Sequence, residues 1–436
     1  MKIYSSYLLE FAVNLRYAKM KIAIVGAGIC GLTSAYILSR DGHSVSVFEK
    51  EKTLGGLAGS FKDRNWQWSL EKYYHHFFSS DKEVSSLLRQ LGLQDKLFFK
   101  TPKTSLFIRG KICTFDTPWA VLSFPYLNIL EKLRVGLVTG WLKITPFWQH
   151  LEKVTAERWL KKYYGKKAYQ MLWEPLLKAK FGNKYEGIPA SWFWARIKKR
   201  TNRLGYLEGG LLTLVESLAA KIKEGSGEII LGAEVKNLNE LGDFDKIIVT
   251  TSPESFLKIA PDLPKDYKIK IQKLESVGAI ALVLCLKEKF LKDDTYWLNI
   301  NEAEFPFVAV VEHTNFIDRQ YYGGDHLLYV GGYYPTNHPF FKMTKEQIYQ
   351  KFLPFLKKIN PDFDFSLFII HYSLFMNLYA QPLVPLNYSK TLPSLTTPLP
   401  NLFFATMHHV YPWDRGVNYA ISLGRKVAHE LSSQKD

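Results

Sequence analysis

The sequence predicts an α/β fold in which a parallel sheet, assembled from separated stretches of chain, is interleaved with a mixed-sheet domain and a helical subdomain. Three observations carry that reading. Residues 21–25 (KIAIV) are a short unbroken apolar run, the pattern of a parallel strand covered on both faces. Gly26, Gly28 and Gly31 follow at G-x-G-x-x-G spacing, ahead of a helix-like stretch to Arg40 and a turn at Asp41-Gly42. A second strand, residues 44–48, then ends on Glu49, 18 residues after Gly31.

Each of these parts has its own physical reason. Gly26 permits a tight turn, Gly28 leaves room for a pyrophosphate against the backbone, and Gly31 lets helix and strand pack closely. The helix N-terminus offers free amides and partial positive charge to the phosphates. Glu49 stands where a carboxylate accepts hydrogen bonds from ribose hydroxyls, and its charge disfavours a 2′-phosphate. The expectation is a Rossmann-type dinucleotide site that does not take NADP.

Composition bounds the rest. A chain of 436 residues predicts two or three domains, and 47% apolar with 22% charged residues excludes a disordered, collagen-like or low-complexity protein. Lys and Arg number 57 against 41 Asp and Glu, a net charge of +16 that points to an anionic partner. Three unpaired cysteines, Cys30, Cys113 and Cys285, argue for a reducing compartment and against a disulfide framework or a zinc site. No run of 18 apolar residues predicts a membrane-spanning helix. Residues 1–19 lack the pattern of a secretory signal, and Met20, directly before the first strand, is the expected true start.

After Glu49 the chain reads KEKTLGGLAGSF, with the doublet Gly55-Gly56. Here the sequence resembles the flavin-dependent amine oxidase superfamily, in its protoporphyrinogen oxidase and phytoene desaturase branch, with UDP-galactopyranose mutases as relatives. The resemblance implies an FAD cofactor, with Gly55, Gly56 and Leu57 passing the pyrophosphate and ribityl chain. Two further segments match: residues 205–222 with the stretch to Val235, whose backbone would meet the adenine, and residues 401–430. In relatives the last helix points its N-terminus at the pyrimidine end of the flavin, where negative charge develops on reduction. Asp414, Gly416 and Asn418 are the implied ribityl and flavin contacts.

The resemblance sets the domain boundaries. Residues 20–80, 205–260 and 394–436 form the FAD-binding domain, 81–204 a helical subdomain, and 261–393 a substrate-binding sheet domain. Within the last, strands are expected at 277–286, 307–313, 326–331 and 365–372, and a helix at 344–358. Residues 151–204 hold 14 Lys and Arg against 4 Glu, and residues 124–148 alternate apolar side chains with Lys132, Arg134 and Lys143. That composition predicts a subdomain resting on an anionic membrane surface, in a cytoplasmic protein. Nucleic acid is not expected, since no recognition motif accompanies the charge.

Flavin chemistry needs no protein nucleophile, but a departing proton needs a base. His75 and His76 follow the Gly-Gly segment and are candidates for it. Glu312 and His313 end a strand of the sheet domain and are candidates for a substrate role, while His408 and His409 are candidates to close the flavin site. Adjacent histidines without further ligands predict no metal. The expected activity is an FAD-dependent oxidoreductase removing a hydride from a lipophilic or membrane-derived small molecule. Two alternatives stand beside it: a non-redox nucleotide-sugar mutase and a flavin-binding protein without turnover.

Overall fold

In the computed structural model of the chain, which describes residues 19–433, five parallel strands run in the spatial order Gly227–Leu231, Ser44–Glu49, Lys21–Val25, Lys246–Val249 and Leu402–Phe404. The expectation about residues 1–19 lies, but for Lys19, outside the described residues. Ile22, Ile24, Val45 and Val47 are fully or nearly fully buried, as the apolar strand pattern requires of a sheet covered on both faces. One face carries helices Ile29–Arg40, Leu211–Glu224 and Val417–Ser433, joined in one core through Leu32, Leu214, Leu218, Ile421 and Val427. Helices Ile29–Arg40 and Val417–Ser433 touch at Gly424, where a Cβ would lie 2.6 Å from the Cys30 carbonyl oxygen. The other face is covered by Pro253–Ile259 and Lys265–Gln272 through Phe256, Tyr267 and Ile271.

A seven-stranded mixed sheet stands beside it, in the order Ile369–Pro382, Ser276–Leu286, His326–Tyr334, Ala309–Glu312, Thr295–Ile300, Lys103–Ile108 and Lys111–Thr114. Helix Lys345–Ile359 buries Ile348, Phe352 and Leu356 against Ile280, Leu282 and Leu284. The expected strand at 365–372 begins late. Phe365–Phe368 is a helical turn, because the Asp364 side chain accepts from the Ser366 backbone and draws the chain out of the extended state.

The stretch expected to be mostly helical, 81–204, contributes two strands to this sheet. Arg109 and Gly110, both at positive φ (53° and 71°), make the tight turn of a hairpin that pairs Phe107 with Ile112. After strand Gly227–Leu231, Gly232 and Ala233 donate to the Glu51 and Glu49 carbonyls at the sheet's edge.

The remaining helices of 81–204 form a packed group on Tyr164, Tyr169, Phe181, Phe193 and Trp194. Its helix Ile129–Ile144 starts from a capping box, Asn128 bonding the Glu131 backbone and Glu131 the Asn128 backbone. Val135 and Leu142 of this helix are buried, whereas Leu130, Leu137 and Ile144 are 74%, 76% and 77% exposed.

Candidate active site

The first glycine loop is built as its spacing requires. Gly26 sits at φ 107°, and a Cβ on Gly31 would fall 2.0 Å from the Gly26 carbonyl oxygen, so only glycine lets helix and strand meet here. Gly28 is the N-cap of helix Ile29–Arg40 and no side chain caps that end. The first-turn amides are therefore left for a ligand, and a Cβ on Gly28 would meet nothing within 4 Å. That combination, uncapped donors facing open space, fits a pyrophosphate.

Neighbouring segments complete the cradle. The Glu49 carboxylate accepts from the Ala27 amide at 2.8 Å and the Glu51 amide at 2.9 Å, which fixes it at the mouth of the loop. Gly55 donates to the Ala27 carbonyl at 2.9 Å and bridges to Gly28. Gly55 and Gly56 take φ of 101° and 55°, and a Cβ on Gly56 would reach 3.5 Å from the Gly28 Cα. The doublet thus runs against the first loop along one path. Val235 is buried among Val25, Val249 and Phe256, in the chain that returns past Glu49.

Beyond the doublet the cradle reaches two adjoining cavities. The smaller is lined by Leu57, Tyr73, Ala279, Ile280, Ala281 and Gly332. Tyr74, His75, Tyr333 and Arg415 line both it and a larger cleft, whose walls also include His76, Lys180, Arg196, Arg200, Asp414 and Gly416.

Of the candidate bases, His75 lines both cavities and His76 the larger one. The His75 Nδ1 lies 2.5 Å from the Tyr73 carbonyl oxygen, and a carbonyl only accepts, so the proton is on Nδ1 and Nε2 is the free acceptor. Burial, with the Arg415 charge, pushes the His75 pKa down to about 4. Burial and the Arg200 charge push that of His76 to about 3. Both rings are neutral at pH 7.

Glu312 and His313 are elsewhere. The Glu312 carboxylate is fully buried and accepts from the Phe290 and Leu291 backbones, tying down a loop. His313 is packed among the rings of Tyr206, Tyr322 and Tyr329, with Nε2 2.7 Å from the Tyr322 hydroxyl. Neither lines either of the two cavities described above; both are held by hydrogen bonds within their surroundings. His408 and His409 also bond backbone: Nε2 of each meets the carbonyl of Glu275 and Pro393 respectively, and His409 Nδ1 accepts from Thr406.

Two expected flavin contacts are otherwise engaged. The Asn418 side chain accepts from Glu83 and Val84 and so caps helix Lys82–Gln90, although Asn418 borders the cleft. Asp414 pairs with Lys180 at 3.3 Å and accepts from Trp192 Nε1 at 3.2 Å, with Arg196 at 3.9 Å. Burial pushes its carboxyl up, but the Lys180, Arg196, Arg415 and Arg200 charges outweigh that and hold it well below the usual carboxylate range. Around Gly416 there is room for a ligand, since a Cβ added there would meet only the Tyr419 ring, at 3.8 Å.

Lys180, Arg196, Arg200 and Arg415 were not singled out in the sequence. For Lys180, Arg196 and Arg200 the only sequence signal is the charge excess of residues 151–204, part of which faces this cleft, and Arg415 lies outside that stretch. Among the described residues no group of three or more metal-ligating side chains occurs.

The family described as flavin containing amine oxidoreductase matches residues 29–432. A 15-cis-phytoene desaturase of Glycine max is 29% identical over 159 residues, covering 33% of this chain and 28% of that protein. A zeta-carotene desaturase of Solanum lycopersicum is 33% identical over 133 residues, covering 30% of this chain and 21% of that protein. The matched stretch thus spans a quarter or so of those relatives' own length. Among solved structures, an oxidoreductase from Methanosarcina mazei superposes with a TM-score of 0.72 at 19% identity, covering 94% of this chain and 100% of that one. A reduced UDP-galactopyranose mutase superposes with a TM-score of 0.73 at 13% identity, covering 96% and 97%. At these identities the structural likeness establishes the fold.

Proposed function

The chain belongs to the flavin containing amine oxidoreductase family, and from that premise we propose that it is an FAD-dependent oxidoreductase that removes a hydride from a lipophilic, membrane-derived small molecule. What carries the reading is the continuity between the dinucleotide cradle and the cavities: Leu57, next after the Gly55-Gly56 doublet, lines the cavity that shares His75, Tyr333 and Arg415 with the larger cleft. Gly26, Gly28, Gly31 and Glu49 would hold the adenosine diphosphate half, and Gly55, Gly56, Leu57 and Gly416 the remainder. When bound, the flavin supplies the two-electron acceptor for a substrate C–H bond.

The chain's own residues do the rest. Tyr73, Tyr74 and Tyr333 wall the reaction space with rings. The neutral Nε2 of His75 is the acceptor available to hold or take the proton that leaves as the hydride departs, its tautomer fixed by the Tyr73 carbonyl. The relatives named for phytoene and zeta-carotene support a lipophilic substrate.

Peripheral membrane association is part of the proposal. Among the described residues no helix is long and apolar enough to cross a membrane. Helix Ile129–Ile144 nonetheless leaves Leu130, Leu133, Leu137 and Ile144 exposed on one side, with Trp119 and Phe147 exposed beside it. Lys161, Lys162, Lys166 and Lys167 are exposed nearby, where Arg134 of the same helix bonds the Lys162 and Tyr163 carbonyls. An apolar face with a basic rim suits an anionic lipid surface.

The direct test is anaerobic. Protein purified with its bound FAD and mixed with fractions of a lipid extract is expected to lose the oxidised-flavin absorbance with at least one fraction. A colourless protein that takes up no FAD, or a flavin that no fraction bleaches, overturns the proposal.

A further inference from the structure

The larger cleft carries more positive charge than a flavin and an uncharged lipid require. Its lining includes Lys180, Arg196, Lys199, Arg200 and Arg415, against the two carboxylates Asp81 and Asp414. Lys180 and Arg196 are nine-tenths or more buried, their side chains 7% and 10% exposed. Asp414 is the shared counter-ion. It is in contact with Lys180 at 3.3 Å, while its Oδ2 stays 3.9 Å from Arg196, beyond hydrogen-bond reach.

Arg196 and Arg200 instead lie over rings, 5.7 Å from the centroids of Trp192 and Phe78 respectively. Arg415 is satisfied by Gln381 and Tyr333. Asp81 is committed to the Phe78 amide at 2.8 Å, and burial pushes its pKa up to about 6. The donors of Arg196 and Arg200 therefore border the cleft without an acceptor of their own, in surroundings dry enough to lower both pKa values, that of Arg200 to about 9. A guanidinium at the wall of a narrow cleft with no acceptor of its own gains charge-assisted hydrogen bonds when an anion fills its fork.

We propose that Arg196 and Arg200, with Lys180 behind them, bind the phosphoryl group of the substrate, so that the molecule oxidised in this site is a phosphate or diphosphate ester with its carbon portion directed toward Leu57 and Gly416. A net excess of three positive charges matches a multiply charged phosphoryl group better than a single carboxylate, and the planar guanidinium fork matches phosphate oxygens pairwise. The inference rests on the flavin-site reading but concerns a different wall of the cleft. That wall comes from helix Glu174–Phe181 and from helix Ala190–Lys199 with the Arg200 that follows it, whereas the glycine cradle comes from the parallel sheet and its loops.

The test is binding to the FAD-loaded protein, read by calorimetry and by the flavin difference spectrum, without turnover. Inorganic pyrophosphate is expected to bind with an affinity that falls steeply with salt. Farnesyl diphosphate is expected to bind at least tenfold tighter than farnesol. Arg196→Gln and Arg200→Gln should each weaken pyrophosphate binding tenfold or more at unchanged FAD stoichiometry. Tight binding of UDP-glucose in place of farnesyl diphosphate would keep the phosphoryl site and assign it to a nucleotide sugar; the reverse assigns it to a lipid phosphate. No binding of pyrophosphate to the unaltered protein, or equal affinity for farnesol and its diphosphate, overturns the proposal. Because the readout is binding, failure of the oxidoreductase reading shows separately, as a flavin that stays oxidised with every lipid fraction.

Discussion

The Tyr206 hydroxyl donates to both oxygens of the buried Glu71 carboxylate, at 3.1 and 2.9 Å, while the Leu211 amide donates to the same group at 2.8 Å. Glu71 thereby caps helix Leu211–Glu224, whose N-cap is the glycine Gly210. It also ties the segment that leads to Tyr73 and His75 onto the parallel-sheet domain.

Burial pushes the Glu71 pKa up to about 7, against the pull of the Leu211 and Tyr206 hydrogen bonds. A carboxyl with a raised folded pKa binds its proton more tightly when folded, so its favourable contribution is complete below about pH 4.5 and declines as pH rises through 7. Glu71→Gln, neutral at every pH, removes that decline. In thermal melts between pH 5 and 8 the variant should gain on the unaltered protein by about 1–3 kcal/mol across the range. Parallel melting curves would mean that Glu71 does not titrate in this window.

His313 works with the opposite sign. Burial alone drives its pKa to about 3, so the folded protein holds it neutral where the unfolded chain is protonated. Its contribution is full above pH 6.5 and is lost as pH falls toward 3, at up to about 1.4 kcal/mol per pH unit. His313→Gln keeps a partner for the Tyr322 hydroxyl and should flatten the acid limb of the stability curve between pH 6 and 4. An acid limb as steep in the variant as in the parent would place the acid sensitivity on other groups.

Gly28 and Gly31 separate folding from cofactor binding. Gly28→Ala adds a methyl into open space at an extended φ of −74°, so the protein should fold with an unchanged melting temperature in the absence of FAD and retain little flavin on purification. Gly31→Ala places Cβ 2.0 Å from the Gly26 carbonyl and 2.9 Å from Thr250 Oγ1, and should lower stability by several kcal/mol or abolish soluble expression. Equal flavin content in Gly28→Ala and parent would remove the pyrophosphate from this loop.

The contrast between those glycines and the cationic cleft explains what was legible in the sequence. Gly26, Gly28, Gly31, Glu49, Gly55 and Gly56 lie within 31 consecutive residues, because a dinucleotide is gripped by one strand, one turn and the next strand. The cleft draws on Lys180, Arg196 and Arg200 from one subdomain and Asp414 and Arg415 from the far end of the chain, a juxtaposition that no local spacing encodes. The excess of basic residues in 151–204 was visible, but whether a given lysine faces lipid, solvent or a cavity depends on helix packing. Asp414 shows the same limit: its place before the last helix gives no sign of the ion pair it makes with Lys180, 234 positions away. The hairpin at Arg109-Gly110 was hidden for a different reason, since arginine is an uncommon residue at positive φ.

The exposed face of helix Ile129–Ile144 makes the last prediction the most direct. Leu130, Leu137 and Ile144 contribute almost nothing to the fold, being about three-quarters exposed. Replacing all three with serine should therefore leave the melting temperature nearly unchanged. On a membrane each would bury most of its side chain, at roughly 1.5–3 kcal/mol apiece for full burial. The unaltered protein should co-sediment with phosphatidylserine-containing vesicles at low ionic strength and release partly at high salt, as the lysines at 161, 162, 166 and 167 are screened. The triple variant should stay in the supernatant, with affinity reduced at least a hundredfold. Sedimentation of both proteins alike would show that the apolar face is covered by something other than lipid, and would leave the basic rim as the whole of the membrane attraction.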